Sequence, residues 1–537
     1  MGYVFHVLLA LAIVALAEAA APPAALPAWA ALALFPVPHG LAWAARRAGT
    51  GGRFRAAAAL ARLFEFAPLL LHGAVCFFFG WVAFAMGATG GAEGVAGASE
   101  WPGPGLAVAL LPYPLFELAA IDARARATGG SRAFNARMLA SAFAPLALFA
   151  LALWPAAAFP AWRAHVDEVA LFAFAQVGLT LAVLGLLLPF ALRFTWDTQP
   201  FPSGPLRGYL ETLAAKARFR CRDLLVWRTD GQVANAAILG FSRRTRYVLF
   251  TDALIGRLAP RELGAVFAHE IGHATRRHVP IFATFTVGLF VAVDLLVSHI
   301  DPAAFAKAFD VLGLSATDGL SLVVALVALV VWYSAFGWLS RRFELDADLV
   351  ALELTRDPEA LASALENVSG LHTRTRRSWR HFSVSERVLF VRAAARDVKV
   401  GERLRASLRR MTRWIVACAA VAVLLEVVVL FQAAPLERAR AELRLGWFEA
   451  ALVRAESQGL GAGPEARLAR AGLGVGEGAS PAQFLAAGWA ELAAGRPEGA
   501  SICLELARMR GAKVPAAGAL EEALATAPAP DTPRAAR

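Results

Sequence analysis

The stretch at residues 260–273 reads PRELGAVFAHEIGH and predicts a helix. Proline is favoured at the first position of a helix, and Pro260 suits that position. Glu262 follows in the first turn, where an acidic side chain stabilises the N-terminus, and apolar residues continue through Ala268. The last five residues, 269–273, therefore belong to the same helix.

Two histidines and a glutamate at the end of this helix form a candidate zinc site. His269 and His273 are four residues apart, so they share one helix face and can both bind one Zn²⁺. Glu270 then lies beside the open coordination position, where its carboxylate can take a proton from the water that the metal activates. This pattern indicates zinc-dependent hydrolysis.

A catalytic zinc site needs a third protein ligand. One class of zinc proteases supplies a histidine ten residues after the first. Here position 279 is Val, and His278 is one residue early. We therefore expect His278 to lie behind a ligand or at the surface, and a carboxylate on a later helix to complete the site.

Residues 340–348, SRRFELDAD, supply that carboxylate. Glu344 and Asp348 stand one helical turn apart on the same face. Glu344 can bind the metal while Asp348 accepts a hydrogen bond from a ligand imidazole and holds its tautomer. Alone, the two carboxylates would be interpreted as a solvated helix face; together with residues 269–273 they predict a metal site.

The composition indicates a membrane protein. Of 537 residues, 58% are hydrophobic and 18% are charged, whereas soluble proteins average about 45–50% apolar and 25% charged residues. Apolar runs predict about nine membrane spans. They are 4–20, 26–45, 66–87, 105–121, 139–158, 169–192, 280–299, 319–339 and 414–431. The first could instead be a cleaved signal peptide, although no Lys or Arg precedes it. A purely soluble, disordered or disulfide-stapled protein is excluded, because the four cysteines are scattered and form no CxxC.

Arginine placement predicts the orientation in the membrane. Arginine is frequent in alternate segments, namely 46–62, 122–137, 193–279 and 340–413. The segments 88–104 and 300–318 are poor in positive charge. We therefore expect the N-terminus and the candidate site on the cytoplasmic side and the tail after 431 on the opposite side. The net charge of +11 is assigned to cytoplasmic loops and not to nucleic-acid binding. The Arg and Ala bias is typical of a GC-rich bacterial genome, which predicts the inner (cytoplasmic) membrane.

The predicted fold class is mainly α, a polytopic membrane protein with a cytoplasmic domain that carries the candidate metal site and with a helical tail. The tail contains two similar segments, 445–451 and 494–500, whose Gly and small-residue spacing is that of helix-turn-helix repeats of the tetratricopeptide type. A plain helical hairpin without a binding role is an equal alternative. The predicted domains are 1–192 (membrane domain of six spans), 193–413 (metallopeptidase domain with two spans), 414–431 (last span), 432–524 (helical tail) and 525–537 (disordered).

Four blocks resemble the membrane zinc metallopeptidases of the HtpX and CAAX prenyl protease type. The first is Asn235-Ala236 with Gly240 and the strand-like 246–252, which resembles a β-hairpin before the metal helix. The second is 269–278, the third is 340–348, and the fourth is 381–387, HFSVSER. They occur in family order over about 201–392. The resemblance implies a zincin-type catalytic domain with a small β-hairpin or sheet.

The resemblance implies roles for individual residues. His269, His273 and Glu344 would be the zinc ligands and Glu270 the general base and acid. His381 and Arg387 would stabilise the oxyanion, which needs positioned donors. Asn235 would lie near an edge strand that pairs with an extended substrate.

Two departures from the family pattern affect these expectations. Phe382-Ser383 replaces a Pro-Pro pair, which weakens the expected positioning of His381. Six apolar segments precede the metal helix, more than either relative has, so no membrane cavity is carried over.

The sequence therefore predicts a zinc endopeptidase that cleaves membrane or membrane-associated polypeptides at the cytoplasmic face, with one zinc per chain. Two alternatives remain: an inactive scaffold or transporter, and an assembly factor acting through a protein partner of its tail. Asp294 and Glu426, inside apolar spans, are the observation that favours a transporter.

Overall fold

A computed structural model describes residues 2–20, 24–88, 103–240, 242–310, 316–368, 379–476, 479–494, 496–512 and 514–526. The chain divides into two compact units. The first unit comprises Met1–Gly129, Pro145–Leu184 and Val427–Arg537, and the second comprises Gly130–Ala144 and Gly185–Glu426. The second unit contains all of the predicted metallopeptidase domain, 193–413.

The first part of the chain is helical. Its helices are α1 (Gly2–Ala20), α2 (Val37–Thr50), α3 (Phe54–Phe78), α4 (Trp81–Ala88), α5 (Gly103–Leu110), α6 (Pro112–Thr128), α7 (Arg132–Ala158), α8 (Pro160–Glu168) and α9 (Ala170–Thr195). A 3₁₀ helix, Ala28–Leu34, precedes α2. The expected arginine-rich loop at 46–62 is mostly helical, because the alanine-rich run after Arg55 has a high helix propensity and begins α3.

The chain is a multi-pass membrane protein. Within the described ranges, seven helical segments are long and apolar enough to cross a membrane. They are Ala28–Thr50, Phe54–Phe78, Arg132–Ala156, Ala170–Thr195, His278–Val297, Gly319–Thr355 and Val398–Leu445. They overlap seven of the nine predicted spans. The predicted span 4–20 coincides with α1, and 105–121 falls on α5 and α6, which meet at Leu111 beside Pro112. The total of nine membrane spans stays a prediction.

The second unit contains a four-stranded sheet followed by helices. The strands are β1 (Thr198–Pro200), β2 (Asp223–Trp227), β3 (Ala236–Leu239) and β4 (Tyr247–Thr251), in the order β1-β2-β4-β3. β3 and β4 form the expected antiparallel hairpin, while β2 and β4 are parallel. The helices are α10 (Pro205–Lys216), α11 (Asp252–Arg257), α12 (Pro260–Thr275), α13 (His278–Val297), α14 (Ala306–Asp310), α15 (Ala316–Thr355), α16 (Pro358–Val368), α17 (Val384–Arg396) and α18 (Val398–Leu445).

All five residues of β4 are buried, because both faces of the sheet are covered. Val248 and Phe250 belong to a core that includes Phe267 of α12. Tyr247 and Leu249 point to the other face, in a cluster with Phe134. This alternation follows from the two-residue period of a strand. It fixes α12 against the sheet and thereby fixes the helix that carries residues 269–273.

The tail consists of five further helices: α19 (Phe448–Ser457), α20 (Pro464–Val475), α21 (Pro481–Ala493), α22 (Pro497–Met509) and α23 (Val514–Thr526). Phe448, Phe484 and Leu506 form its buried core. No break separates the predicted last span from the tail, because α18 continues from 414–431 to Leu445. The helical tail is as expected, and its likeness to a repeat stays a prediction. Of the residues 525–537 that were predicted to be disordered, Ala525 and Thr526 end α23, and the others lie outside the described ranges. Most of the predicted loop 88–104 also lies outside the described ranges.

Candidate metal centre

The backbones of α12 and α15 are in close contact at Gly272. A Cβ atom at this position would lie 2.9 Å from Cα of Ala347, so only glycine allows the approach. Gly272 lies between the two histidines of α12, and Ala347 lies between Glu344 and Asp348 of α15. The crossing therefore brings the two pairs of candidate site residues together.

His269, His273 and Glu344 place one ligand atom each within 4.8 Å of one another. Nε2 of His269 lies 3.2 Å from Nε2 of His273. The carboxylate oxygens of Glu344 lie 3.6 Å from Nε2 of His269 and 3.7 Å from Nε2 of His273. A tetrahedral zinc site with bonds of about 2.0–2.2 Å has edges of about 3.3–3.6 Å. The two distances to Glu344 are to different oxygens, Oε2 for His269 and Oε1 for His273, so the two imidazoles and the Glu344 carboxylate surround one space of the size that a zinc ion needs.

Asp348 lies behind the first histidine. Its Oδ1 is 2.9 Å from Nδ1 of His269, so the imidazole can donate a hydrogen bond to it and direct Nε2 to the metal position. Asp348 is completely buried. The predicted role of Asp348, holding the tautomer of a ligand imidazole, stays a prediction that this contact supports.

Arg387 neutralises the buried carboxylates. Its guanidinium donates two hydrogen bonds to Asp348, at 2.9 and 2.6 Å, and lies 3.3 Å from Glu344. Burial alone would lower the pKa of Arg387, but the negative charge of Asp348 outweighs burial and raises it. The oxyanion role that the resemblance implies for Arg387 stays a prediction, and its contacts in the structure are with the carboxylates of α15.

His278 lies behind the second histidine. Its Nδ1 is 3.0 Å from Nδ1 of His273, and its Nε2 is 3.3 Å from Oδ2 of Asp346. The ring stacks on Phe343 at 4.1 Å, and the residue is buried. We expected His278 to lie either behind a ligand or at the surface. The structure places it in the interior, behind His273.

Asp346 is a residue of the site region that the sequence analysis missed. Besides His278, it faces Arg276 at 3.7 Å and Arg405 at 3.4 Å. Asp346 is two residues from both Glu344 and Asp348, so it lies on a different face of α15. This spacing is the feature of the sequence that could have indicated a separate contact for Asp346.

His381 and Asn235 lie at the exposed side of the site and at the sheet edge. Nδ1 of His381 is 3.3 Å from Glu344, and 47% of its side chain is exposed. Asn235 is exposed and directly precedes β3, the edge strand, with its backbone paired to Thr251. The structure thus places His381 next to the metal-ligand set and Asn235 at the start of an edge strand.

Burial and nearby charges shift the pKa values of three side chains of α12. Burial raises the pKa of Glu270 to about 7 and lowers the pKa of His273 to about 3. For His269, burial alone would lower the pKa, but the hydrogen bond and charge of Asp348 outweigh it and raise the pKa. His273 is therefore neutral and able to offer a lone pair to a metal, and a metal at Nε2 of His269 would replace a proton.

Comparisons with known proteins identify a peptidase family. Residues 202–442 match the model of "Peptidase family M48". "Protease HtpX homolog 2" of Methanosarcina mazei is 33% identical over 172 residues, which is 32% of this chain and 56% of that protein. "CAAX prenyl protease 1 homolog" of Arabidopsis thaliana is 29% identical over 218 residues, 37% of this chain and 48% of that protein. "Protease HtpX homolog" of Moorella thermoacetica is 30% identical over 260 residues, 46% of this chain and 80% of that protein.

The matched region therefore spans about half the length of the first two relatives and most of the third. The crystal structure of S. mikatae Ste24p covers 67% of this chain and 97% of its own, with a TM-score of 0.39 and 15% identity. A TM-score of 0.39 is too low to support an argument about the fold.

Proposed function

Because the chain belongs to peptidase family M48, we propose that it is a membrane-embedded zinc metalloendopeptidase. Its substrates are membrane or membrane-associated polypeptides, which it cleaves at the cytoplasmic face of the inner membrane. The observation that carries this proposal is the clustering of His269, His273 and Glu344, with Glu270 on the helix of the two histidines. The inactive scaffold, the transporter and the assembly factor are not favoured, since neither the ligand set nor the base has been lost.

His269, His273 and Glu344 hold the zinc ion. When bound, zinc acts as a Lewis acid on water and on the scissile carbonyl. Glu270 accepts a proton from the attacking water and passes it to the leaving amine as the peptide C–N bond breaks. Its raised pKa of about 7 suits both steps, since a group that takes and returns a proton works best near the ambient pH.

The partners of the ligands act by positioning them. Asp348 accepts the Nδ1 hydrogen of His269, and Arg387 holds Asp348 by two hydrogen bonds. Arg387 thereby also offsets the repulsion between Asp348 and Glu344 in a buried region. These residues keep the donor atoms of α12 and α15 at metal-binding distances.

The substrate binds as an extended segment along β3. β3 has an unpaired edge, because its only ladder within the described sheet is with β4. Main-chain hydrogen bonds to an edge strand depend little on side chains, which gives broad sequence preference. Asn235 lies where this edge begins, and His381 donates a hydrogen bond to the oxyanion that forms on the substrate.

The test uses the purified full-length chain with an unfolded protein such as casein as substrate. Cleavage is expected, a chelator should stop it, and zinc should restore it. Glu270→Gln should abolish cleavage while zinc remains bound, because Glu270 is not a ligand. Glu402→Gln, an exposed glutamate of α18, is the matched control and should behave as the wild type. Normal activity of Glu270→Gln would overturn the proposed mechanism.

A further inference from the structure

A cavity of about 1010 Å³ lies in the second unit, apart from the metal-ligand set. Its walls come from α10, the segment between α10 and β2, and the turn between β3 and β4. The volume is at the upper end of the range of about 300–1,000 Å³ for small-molecule pockets. None of the residues assigned above to zinc binding or catalysis lines it.

The lining is strongly basic. It contains Arg207 and five exposed arginines: Arg218, Arg220, Arg222, Arg243 and Arg244. The two acidic residues of the lining, Glu211 and Asp223, both pair with Arg207, each at 2.8 Å. Within the described part of the lining, the ion pairs of both carboxylates are with Arg207 and not with the five exposed arginines. The lining therefore has six arginines against two carboxylates, a formal excess of four positive charges, although the Arg222 guanidinium lies 5.7 Å from the ring of Tyr247. A bound anion would lower the mutual repulsion of these arginines.

The backbone that carries these arginines is held in place. The backbone N–H of Arg222 donates to the carbonyl of Arg246 at 2.7 Å, which joins the start of β2 to the start of β4. The guanidinium of Arg246 lies 5.1 Å from the ring of Phe219, and Phe219 packs edge-on against Phe267 of α12. The cavity wall is thus continuous with the core of the sheet and is not a free loop.

The cavity is also close to a membrane-spanning helix. The span Ala170–Thr195 ends six residues before Phe201, whose carbonyl accepts a hydrogen bond from Arg207 at 2.8 Å. Six residues of extended chain reach at most about 20–22 Å. Arg207 therefore lies within about that distance of the end of the span, on the side of the membrane where the metal site lies.

We propose that this cavity, here called the arginine cavity, binds a phosphate group, either on the headgroup of an anionic phospholipid or as a free phosphate compound. Guanidinium groups bind phosphate oxygens in a bidentate geometry, and the lining contains Arg without Lys. A concave cavity within reach of a membrane face suits a headgroup, and basic pockets on the cytoplasmic side are a known mode of lipid binding. Bound lipid would hold the sheet, with its substrate edge, against the membrane surface.

The test measures lipid binding to the full-length chain in detergent by native mass spectrometry. The probes are short-chain phosphatidylglycerol, short-chain phosphatidylcholine and inorganic phosphate. The variant is Arg243→Gln/Arg244→Gln, since both side chains are exposed on the β3–β4 turn. The control is Arg228→Gln/Arg257→Gln, two exposed arginines of the same unit outside the cavity with the same loss of charge.

The cavity variant should bind phosphatidylglycerol at least about tenfold more weakly than the wild type, because each arginine near a lipid surface contributes about 1 kcal/mol. The control variant should bind as the wild type does. Competition by millimolar inorganic phosphate, without any preference for phosphatidylglycerol over phosphatidylcholine, would support the phosphate site with a free phosphate compound as ligand. Equal binding by the cavity and control variants would overturn the proposal. So would displacement of the lipid by polyglutamate at concentrations where phosphate has no effect. Neither result depends on peptidase activity.

Discussion

Nδ1 of His278 lies 3.0 Å from Nδ1 of His273, and Nε2 of His278 lies 3.3 Å from Asp346. If Nε2 of His273 binds zinc, its Nδ1–H donates to Nδ1 of His278, and the Nε2–H of His278 donates to Asp346. Each of the two proposed histidine ligands would then have its own support, since His269 can donate to Asp348. Such supporting hydrogen bonds orient a ligand ring and raise its basicity.

His278→Ala should lower zinc affinity about 10–100-fold, because the ring of His273 loses its hydrogen-bond acceptor. Competition with a chromophoric chelator on the purified chain measures this affinity. His278→Gln should recover part of the affinity, since an amide oxygen can accept the same hydrogen. His299→Ala, an exposed histidine just after α13, is the control. Unchanged affinity of His278→Ala would show that the contact does not support the metal site.

Glu344→Ala should lose both zinc and activity, because the third ligand is removed and Arg387 is left with one carboxylate fewer. Metal analysis of the purified chain and the casein assay measure the two effects. Glu353→Ala removes an exposed carboxylate two and a half turns further along α15. This control variant should keep both its zinc and its activity. Full zinc content in the Glu344→Ala chain would show that Glu344 is not the third ligand.

Gly272→Ala should destabilise the chain and weaken zinc binding. The new Cβ would lie 2.9 Å from Cα of Ala347, so α12 and α15 must move apart, at a cost of about 1–3 kcal/mol. Thermal unfolding with and without zinc measures both effects. Gly208→Ala in α10, where a Cβ meets nothing within 4 Å, should be neutral or slightly stabilising. Equal melting temperatures of the two variants would contradict the close crossing of the helices.

His381→Ala should lower kcat about 10²–10³-fold and change KM little, because a donor to the oxyanion acts mainly in the transition state. Zinc content should remain near one per chain, which separates this role from ligand binding. Steady-state kinetics with a short fluorogenic peptide measures the effect. An unchanged kcat would mean that the replacement of the family's Pro-Pro by Phe382-Ser383 has separated this segment from the reaction.

The sequence predicted those parts of the site that depend on one helix at a time. The spacing of His269 and His273, and of Glu344 and Asp348, follows from helix geometry, and the structure brings both pairs together. Contacts between elements were harder to predict. Arg387 approaches Asp348 from α17, and His278 approaches Asp346 from α13, and no local pattern encodes either contact. The parallel pairing of β2 with β4 was missed for the same reason, since the strands are distant in the chain.

The side of the membrane on which the tail lies depends on α18. This helix runs without interruption from Val398 to Leu445, about 72 Å at 1.5 Å per residue, whereas the hydrocarbon core is about 30 Å thick. Its first part carries Arg409, Arg410 and Arg413, which favour the cytoplasm. The segment 340–413 also contains Arg341, Arg342 and Arg380, which the structure describes, and Arg374, Arg376 and Arg377, which lie outside the described ranges. All six are expected to favour the cytoplasm. Glu426 costs about 2–3 kcal/mol in hydrocarbon, which its apolar neighbours offset.

We therefore expect that the tail lies outside the cytoplasm, on the opposite side from the metal site. Glu402→Cys and Gln458→Cys place one exposed thiol before and one after the span, in a chain whose four native cysteines are replaced by serine. An impermeant maleimide should label position 458 in intact spheroplasts, and position 402 only after the membrane is opened. Labelling of both positions from one side would mean that 414–431 does not cross the membrane. The tail could then reach the metal site and would become a candidate for recruiting substrate.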